Sequence, residues 1–338
     1  MDYSRYARQM VLPNIGQEGQ QKLSSAHVAV VGCGALGTVA ADLLVRSGVG
    51  GITIIDRDVV ELTNLQRQTL FDEADAMARR AKAVAAAEKL SRVNSQVQVR
   101  GLAVDFTWRN ARELLRGHDL VIDATDNHLA RLTINDACLE EGIPFIYGGA
   151  LGYNGMTMNI LPGGPCYRCL IDDIPPAGAG DSCDVAGVLG AVTAVVAANQ
   201  TSEAIKYLVD PASLRKGLLD IDLLRGTYRT IQLPQDPNCP ACVQGRRDFL
   251  SPERHQESLV ICGRNSVMLQ SPNRSGLNLL DLAAVLGAKG HQCLVDRFRL
   301  RLMIENYEMI LFADGRALIN GTEDPAVAKR VYSGIMGG

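Results

Sequence analysis

The chain has 338 residues, 47% of them hydrophobic and 21% charged, and its 34 Lys and Arg against 37 Asp and Glu give a formal net charge of -3. This balance does not provide the concentrated basic surface that nucleic acids require, so we expect no nucleic-acid partner. Residues 1–9 lack the apolar core of a signal peptide, and the longest apolar stretch, 185–198, is too short to span a bilayer. Nine cysteines, an odd number, do not suggest a secreted disulfide framework. These features predict a cytoplasmic protein with no membrane partner.

The first predicted elements form one βαβ unit. An apolar run at 27–31 leads into Gly-Cys-Gly-Ala-Leu-Gly at 32–37, a helical stretch follows at 38–46, and a second apolar run at 52–56 ends in an acid. A strand, a tight glycine turn, a helix and a strand in this order build a parallel sheet.

Strands and helices continue to alternate beyond this unit. We predict helices at 81–90, 110–115 and 131–141, and strands at 97–100, 119–123 and 144–147. This alternation is typical of an α/β fold with a Rossmann-like, doubly wound, mostly parallel sheet. Further along we predict antiparallel additions to the sheet at 152–162, an exposed loop at 171–184 and a long helix at 188–209.

A polar segment at 234–247 indicates a domain boundary near 248–258. We therefore predict a large α/β domain at 1–250 and a small α+β domain at 258–338, to which the sequence assigns no chemistry. In the second domain we predict strands at 259–262, 297–304 and 308–312, a helix at 279–286, an Asp-Gly hairpin turn at 313–316 and a final helix that starts at Asp324-Pro325.

The glycine turn is the first candidate for a binding site. Gly32 and Gly34 let the backbone turn sharply and approach a phosphate, and Gly37 lets the helix pack closely on the strand. Asp56, at the end of the second strand, is positioned to accept hydrogen bonds from ribose hydroxyls. Alone, this pattern indicates a nucleotide and favours a dinucleotide; a turn without a ligand is the alternative.

The polar residues after Asp56 favour a triphosphate. Asn64, Arg67 and Lys82 supply amide and cationic groups for phosphates, and Asp126, which follows another buried strand, supplies a carboxylate for Mg²⁺. Each residue has an alternative interpretation. Arg67 is then a surface cation, Lys82 a solvated helix residue, and Asp126 the N-cap of the following helix.

Two Cys-x-x-Cys pairs indicate a metal site. Cys166 and Cys169 form one pair, and Cys239 and Cys242 form the other. Four thiolates make a closed tetrahedral Zn²⁺ site, which here would join distant segments of the chain. For either pair alone, a redox dithiol is the alternative.

Together these motifs resemble the ThiF/MoeB family of sulfur-carrier adenylyltransferases, relatives of ubiquitin-activating enzymes. The resemblance covers residues 3–245 and rests on the glycine turn, Asp56, Arg5-Tyr6-Ala7-Arg8-Gln9, Asn64-Leu65-Gln66-Arg67-Gln68, Thr125-Asp126-Asn127, Pro165-Cys166-Tyr167-Arg168-Cys169-Leu170 and Cys239-Pro240-Ala241-Cys242. It implies a Rossmann-like homodimer. It also implies MgATP-dependent adenylylation of a ubiquitin-like sulfur carrier that ends in Gly-Gly, in thiamine thiazole or molybdopterin biosynthesis, with release of pyrophosphate.

The resemblance also implies residue roles. Asp56 holds the ATP ribose, and Asp126 binds Mg²⁺ near the α-phosphate. The phosphates are contacted by Asn64, Arg67 and Lys82. Arg8 reaches into the partner subunit's site as an arginine finger. One departure is that the family's lysine follows a Gly-x-Pro stretch, where this chain has Arg79-Arg80-Ala81.

Cys183 lies in the predicted loop, where family members carry a cysteine over the carrier's tail channel. It is a candidate for attack on the acyl-adenylate or for sulfur transfer, although the neighbouring acids raise the pKa of such a thiol. The C-terminal domain shows no rhodanese-type cysteine loop, so sulfur is expected from a separate donor, a cysteine desulfurase or a rhodanese. Two other functions remain open at this point: an NAD-dependent oxidoreductase with structural zinc, and a non-catalytic scaffold for a ubiquitin-like protein.

Overall fold

The computed structural model describes residues 3–171, 187–254, 258–261, 265–269, 277–295, 299–313 and 315–336. The chain separates into two compact units, Met1–Arg254 and His255–Gly338. Among the helices of the described segments, none combines the length and apolarity needed to cross a membrane.

The first unit is a helix-covered sheet. Its helices are α1 (Ala7–Met10), α2 (Gly16–Ser25), α3 (Ala35–Ser47), α4 (Glu73–Met77), α5 (Lys82–Val93), α6 (Ala111–Leu115), α7 (His128–Glu141), α8 (Tyr167–Leu170) and α9 (Gly190–Val209). Its strands are β1 (His27–Val31), β2 (Gly51–Ile55), β3 (Gln98–Leu102), β4 (Leu120–Asp123), β5 (Phe145–Leu151), β6 (Asn154–Ile160), β7 (Leu218–Asp222) and β8 (Thr227–Ile231).

In the described part of this unit, the strands form one sheet in the order β3-β2-β1-β4-β5-β6-β7-β8. The strands from β3 to β5 pair in parallel, and those from β5 to β8 pair antiparallel. The predicted α/β fold, with its mostly parallel sheet and antiparallel additions, is confirmed.

The strand order brings three loops together. Val31, the last residue of β1, pairs with Ile55 on one side and with Asp123 on the other. The glycine turn, the residues after β2 and the residues after β4 therefore leave the sheet at the same edge. The strand order reverses between β1 and β4, and open α/β sheets bind ligands in the crevice at such a point.

The parallel strands are buried on both faces. On β1, Val28 and Val30 pack into the cluster that contains Leu44 of α3 and Val196 of α9. The alternate residues of β1 point to the opposite face, into the cluster formed with α6 and α7. This two-sided burial explains why the strands read as continuous apolar runs rather than as alternating ones.

Most predicted elements lie within a few residues of the observed ones, and the differences have local causes. The helix predicted at 131–141 starts earlier, at His128, because the Asn127 side chain accepts a hydrogen bond from the Ala130 amide at 2.8 Å and caps it. The strand predicted at 144–147 continues to Leu151, where β6 pairs with it. Residues 172–184 of the predicted loop lie outside the described residues.

The second unit is a sheet with helices. Its strands are β9 (Ser258–Ile261), β10 (Ser266–Leu269), β11 (Cys293–Val295), β12 (Arg299–Ile304), β13 (Tyr307–Phe312) and β14 (Ala317–Asn320), and its described helices are α10 (Leu279–Ala288) and α11 (Pro325–Met336). The strands run in the order β11-β12-β13-β14-β10-β9, and neighbours are antiparallel. The predicted start of the last helix is confirmed, because the Asp324 carboxylate accepts a hydrogen bond from the Ala326 amide at 2.8 Å.

Candidate nucleotide site and metal centre

The glycine turn is tight at two of its three glycines. Gly32 has a φ of +94°, and a Cβ there would lie 2.5 Å from the carbonyl oxygen of Ala124. A Cβ on Gly37 would lie 2.0 Å from the carbonyl oxygen of Gly32. A Cβ on Gly34 would meet only Gln68 Nε2, at 3.8 Å. The first and third glycines thus allow close backbone approach, and the second borders open space at the start of α3.

Asp56 lies directly against this turn. Its Oδ2 accepts a hydrogen bond from the Cys33 amide at 2.6 Å, and its Oδ1 accepts one from the Asp58 amide at 2.7 Å. Burial raises the pKa of Asp56, while the nearby Lys82 cation lowers it. The carboxylate is thereby fixed in place at the end of β2, as a ribose ligand must be.

Lys82 is a buried cation at the same edge. It is the first residue of α5, is 4% exposed, and its Nζ lies 3.2 Å from Asp58 Oδ2. Burial opposes its charge, but the carboxylates of Asp58 and Asp56 raise the pKa of Lys82 above its usual value. The alternative interpretation of Lys82 as a solvated helix residue is therefore wrong.

The departure from Gly-x-Pro is accommodated by the backbone. Arg79, at the position of the family's glycine, has a φ of +46°, in the left-handed region that favours glycine. Ala81, at the position of the proline, forms a β-bridge with Val59. The Lys82 amide donates to the carbonyl oxygen of Asp58 at 2.9 Å. The backbone thus places Lys82 at the edge of the sheet although Arg79-Arg80-Ala81 replaces the family's Gly-x-Pro.

The segment that contains Asn64 and Arg67 faces the glycine turn. Asn64 is 2% exposed, and its Oδ1 accepts a hydrogen bond from the Glu61 amide at 3.1 Å. Arg67 is half-buried, and its Nη1 donates to the carbonyl oxygen of Thr63 at 3.0 Å. Gln68, beside Gly34, is buried, and its Oε1 has no hydrogen-bond partner among the described residues. The amide of Gln68 therefore lies close to the turn, and Asn64 and Arg67 lie on the same short segment.

Asp126 is at the tip of a braced turn after β4. Asp123 Oδ1 accepts hydrogen bonds from the amide and the hydroxyl of Thr125, at 3.0 Å and 2.7 Å. The N-cap of α7 is Asn127, so the alternative interpretation of Asp126 as that cap is wrong. Asp126 is exposed, and its charge contributes to the raised pKa of Lys82. Its Oδ1 accepts only a long hydrogen bond of 3.5 Å from Asn127 Nδ2 among the hydrogen bonds of the described residues, and an exposed carboxylate of this kind suits an oxygen-seeking cation such as Mg²⁺.

The remaining two predicted residues are not brought into this cluster. Arg8 on α1 is exposed and makes no hydrogen bond or ion pair within the described part of the chain. Its role in a partner subunit's site stays a prediction. Cys183 lies outside the described residues.

The two Cys-x-x-Cys pairs meet in one cluster. The Sγ atoms of Cys166 and Cys239 lie 3.6 Å apart, those of Cys169 and Cys242 lie 3.5 Å apart, and all four lie within 4.8 Å of one another. Tetrahedral coordination at a Zn–S distance of about 2.3 Å puts sulfurs roughly 3.8 Å apart. Because four thiols converge at this spacing, the residues fit Zn²⁺, and a redox role for one isolated pair does not explain the other pair.

Burial disfavours the thiolate forms of the first cysteine pair. Burial, followed by the charges of the neighbouring cysteines, raises the pKa of Cys166 well above its usual value. Burial also raises the pKa of Cys169, to about 11. A bound divalent cation removes this repulsion, which is a further reason that the cluster suits a metal.

Sequence analysis missed several polar residues around the site. Asp58 pairs with Lys82, and its signal was its position two residues after Asp56 at the same strand end. Arg131 donates from Nη2 to the carbonyl oxygen of Thr125 at 2.7 Å. The sequence indicated Arg131 only by its position, as a cation in the first turns of a helix that follows Asp126, the candidate Mg²⁺ ligand.

Gln200 was also missed. It is a fully buried polar residue in the apolar helix α9, and its Nε2 donates to the carbonyl oxygens of Asp123 and Ile146, at 2.7 Å and 3.0 Å. A Cβ on Gly148 would lie 2.5 Å from the Gln200 side-chain amide. Gln200 therefore holds the carboxyl end of β4 against the beginning of β5.

Comparison with known proteins gives relatives along most of the chain. The "Sulfur carrier protein ThiS adenylyltransferase" of Bacillus subtilis (strain 168) is 41% identical over 332 residues, 97% of this chain and 98% of that relative. The "Sulfur carrier protein adenylyltransferase" of Thermus thermophilus is 40% identical over 248 residues, 71% of this chain and 91% of its own. The "Adenylyltransferase and sulfurtransferase MOCS3" of Bos taurus is 39% identical over 301 residues, and the chain spans 65% of that relative's length.

Among solved structures, "Crystal structure of E. coli MccB" superposes with a TM-score of 0.62 at 24% identity, over 72% of this chain and 73% of that one. This likeness supports the fold. The ThiF family model matches residues 6–241, which include the glycine turn, Asp56, Lys82, Asp126 and Cys239. Because that match covers most of the chain and contains nearly all of the candidate site, this protein belongs to the ThiF family.

Proposed function

We propose that the protein uses MgATP to adenylylate the C-terminal glycine carboxylate of a ubiquitin-like sulfur-carrier protein that ends in Gly-Gly, for thiamine thiazole or molybdopterin biosynthesis. The observation that carries the proposal is the convergence of Asp56, Lys82 and Asp126 around the glycine turn. A carrier protein as substrate is supported by the 41% identity to the Bacillus subtilis adenylyltransferase along nearly the full length of both chains.

In this proposal, the ribose of ATP binds Asp56, and the phosphates extend towards Lys82, Arg67 and Asn64. Mg²⁺ held by Asp126 supplies positive charge at the α-phosphate. A carboxylate oxygen of the carrier attacks the α-phosphorus, and the bond from that phosphorus to the bridging oxygen breaks. The electron pair leaves with pyrophosphate, and the product is an acyl-adenylate.

The protein's own contribution is positioning and charge neutralisation. The negative charge on the phosphates is met by Lys82, whose buried side chain is held by Asp58. Fixed cations and amides of this kind stabilise a transition state without reorganising during the reaction.

A homodimer would complete each site. Arg8 is exposed and has no partner within the described part of its own chain, as expected of a residue that acts in a second subunit. The terminal sulfur of a persulfide on a separate cysteine desulfurase or rhodanese would then displace AMP, which leaves an acyl disulfide between the carrier and the donor. A second thiol would attack the donor's sulfur in that S–S bond, which releases the carrier thiocarboxylate and leaves a disulfide on the donor. Cys183 is the candidate residue of this chain for sulfur transfer. Zn²⁺ at the four cysteines would have a structural role.

The test is ATP–pyrophosphate exchange with purified carriers of the thiamine and molybdopterin types. Exchange that depends on one carrier, and is lost when its terminal glycine is deleted, is the expected result. If neither carrier supports exchange, the proposed reaction is wrong for both types. Thermal unfolding distinguishes the oxidoreductase alternative, because a melting temperature raised by NAD and not by MgATP would support that alternative instead.

A further inference from the structure

The loop that carries the first cysteine pair reaches the helix behind the Asp126 turn. Tyr167 lies between Cys166 and Cys169 and is fully buried. Its hydroxyl oxygen lies 3.0 Å from Nδ1 of His128, the first residue of α7. One hydrogen bond therefore connects a loop of the metal centre to a residue two positions after Asp126.

A second connection runs through aromatic rings. The ring centroids of Tyr167 and Tyr147 lie 5.0 Å apart, and the guanidinium carbon of Arg131 lies 5.3 Å from the Tyr147 centroid. Arg131 donates in turn to the carbonyl oxygen of Thr125, the residue before Asp126. Tyr167 therefore contacts two residues near the turn: His128 directly through its hydroxyl, and Arg131 through the ring of Tyr147.

These two connections leave little freedom to the turn itself. Its start is held by the Asp123 carboxylate, its middle by Arg131, and its end by the cap on α7. Within the turn, Asp126 and Asn127 are exposed, whereas Asp123 and Ala124 are buried. A change in the position of Tyr167 would therefore act on the turn through His128 and Arg131.

We infer that Tyr167 is a positioning residue that couples metal binding at the four cysteines to the order of the turn 123–127. The metal fixes the Sγ atoms on either side of Tyr167, so the hydroxyl is held in one place. The Tyr167 amide also donates to Asn135 Oδ1 on α7, at 2.9 Å, and this contact does not involve the hydroxyl. The consequence for Mg²⁺ binding at Asp126 rests on the proposed function.

Hydrogen exchange tests the coupling on the full-length protein. The peptides that cover residues 123–131 are compared in the zinc-loaded protein, in the protein after chelation, and in zinc-loaded Tyr167→Phe, which loses only the hydroxyl. Loss of one buried hydrogen bond should raise local exchange by about fivefold. Tyr153→Phe, at an exposed tyrosine, is the matched control and should not change it.

The expected result is faster exchange of 123–131 in Tyr167→Phe with the zinc content and the exchange of β1 and β2 unchanged, and little further increase there on chelation. If chelation speeds hydrogen exchange throughout the protein, the test depends on the zinc-loaded Tyr167→Phe variant alone. Exchange of 123–131 in that variant equal to wild type would overturn the inference.

A kinetic measurement tests the consequence for Asp126. In Tyr167→Phe, the Mg²⁺ concentration that gives half-maximal ATP–pyrophosphate exchange should rise several-fold, while a purely structural loss would lower only the amount of active protein. An unchanged Mg²⁺ requirement would overturn this part. If wild type shows no exchange with any carrier, the proposed function fails, and the hydrogen-exchange result still decides the coupling.

Discussion

The amide of Cys33, inside the glycine turn, donates a hydrogen bond of 2.6 Å to Oδ2 of Asp56 at the end of β2. The turn and the acid are thus one structural unit rather than two neighbouring motifs. Lys82, the first residue of α5, places a positive charge beside the carboxylates of this unit. A nucleotide that binds here meets groups from three loops that the strand order has already brought together.

Substitution of Lys82 should separate its catalytic role from its structural one. Lys82→Met removes the ion pair with Asp58, which still has Arg57 Nε 3.8 Å from its Oδ1. We expect ATP–pyrophosphate exchange to be abolished and the free energy of unfolding to fall by roughly 1–3 kcal/mol, since Asp58 is 35% exposed and water screens the pair. Lys89→Met on the same helix, which removes ion pairs with Asp72 and Asp75, is the control and should keep the exchange. Equal loss of exchange in both variants would contradict a specific role for Lys82.

Complementation tests the arginine finger. Arg8→Ala and Asp126→Ala should each be inactive in exchange, yet a mixture of the two should recover about one quarter of wild-type activity, because half of the randomly reassembled dimers contain one complete site. ATP binding by Arg8→Ala should be affected less than exchange. If the mixture stays inactive although subunits exchange, Arg8 does not act across a dimer.

Metal analysis should find one zinc ion per chain in protein purified without chelator. Cys239→Ser should lose the metal. Its melting temperature should fall by about 10 °C or more, even if only about 4 kcal/mol of the free energy of metal binding is coupled to folding. Cys293→Ser, in the second unit, should keep the metal. If wild-type protein contains no zinc and melts at the same temperature as Cys239→Ser, the proposed zinc centre is wrong.

Burial of His118 should make stability depend on pH. Its ring nitrogens lie 3.1 Å from the carbonyl oxygen of Leu115 and 3.0 Å from Thr53 Oγ1, and burial lowers the pKa of His118 below 6.5. Below about pH 6.5, the unfolded chain binds more protons at His118 than the folded protein does, so the free energy of unfolding decreases as the pH falls. Above that pH, His118 contributes no pH dependence. Thermal unfolding between about pH 5 and about pH 7.5 should show a shallower slope for His118→Gln than for wild type. Parallel slopes would refute this assignment.

We propose that the predicted domain at 1–250 contains the catalytic machinery and that the domain at 258–338 is dispensable for adenylylation. The chain separates after Arg254 by its contacts, and the Thermus thermophilus relative aligns with only 71% of this chain although 91% of its own length is covered. A protein truncated after Arg254 should therefore fold and retain exchange within about threefold of the full chain. A folded but inactive truncation would assign the second unit a role in the reaction.

The sequence predicts the parallel half of the fold well because its signals are local. Apolar runs of strand length, glycines and caps identify β1, β2 and β4 to within a residue or two. It does not predict β7 and β8, since β8 is exposed along its whole length and lacks an apolar pattern. Pairing of such a strand is decided by its neighbours.

The candidate site divides in the same way. Asp56 and the glycines follow from a motif with fixed spacing, and the cysteine pairs are visible as pairs. The partners of these residues are not visible, because Asp58, Arg131 and Gln200 act through contacts that depend on the three-dimensional arrangement. Whether the Lys82 side chain is buried or solvated was likewise open in the sequence, and the structure shows it to be buried.

The distance along the chain between the two cysteine pairs has a consequence for folding kinetics. Cys166 and Cys239 are 73 residues apart, and α9, β7 and β8 lie between them. Closing a loop of that length costs about 4 kcal/mol of chain entropy, so the sulfurs meet only after the intervening segment has folded back across the sheet. We therefore expect that an ion bound by all four cysteines would be captured late in folding, in chains whose antiparallel half of the sheet is already assembled.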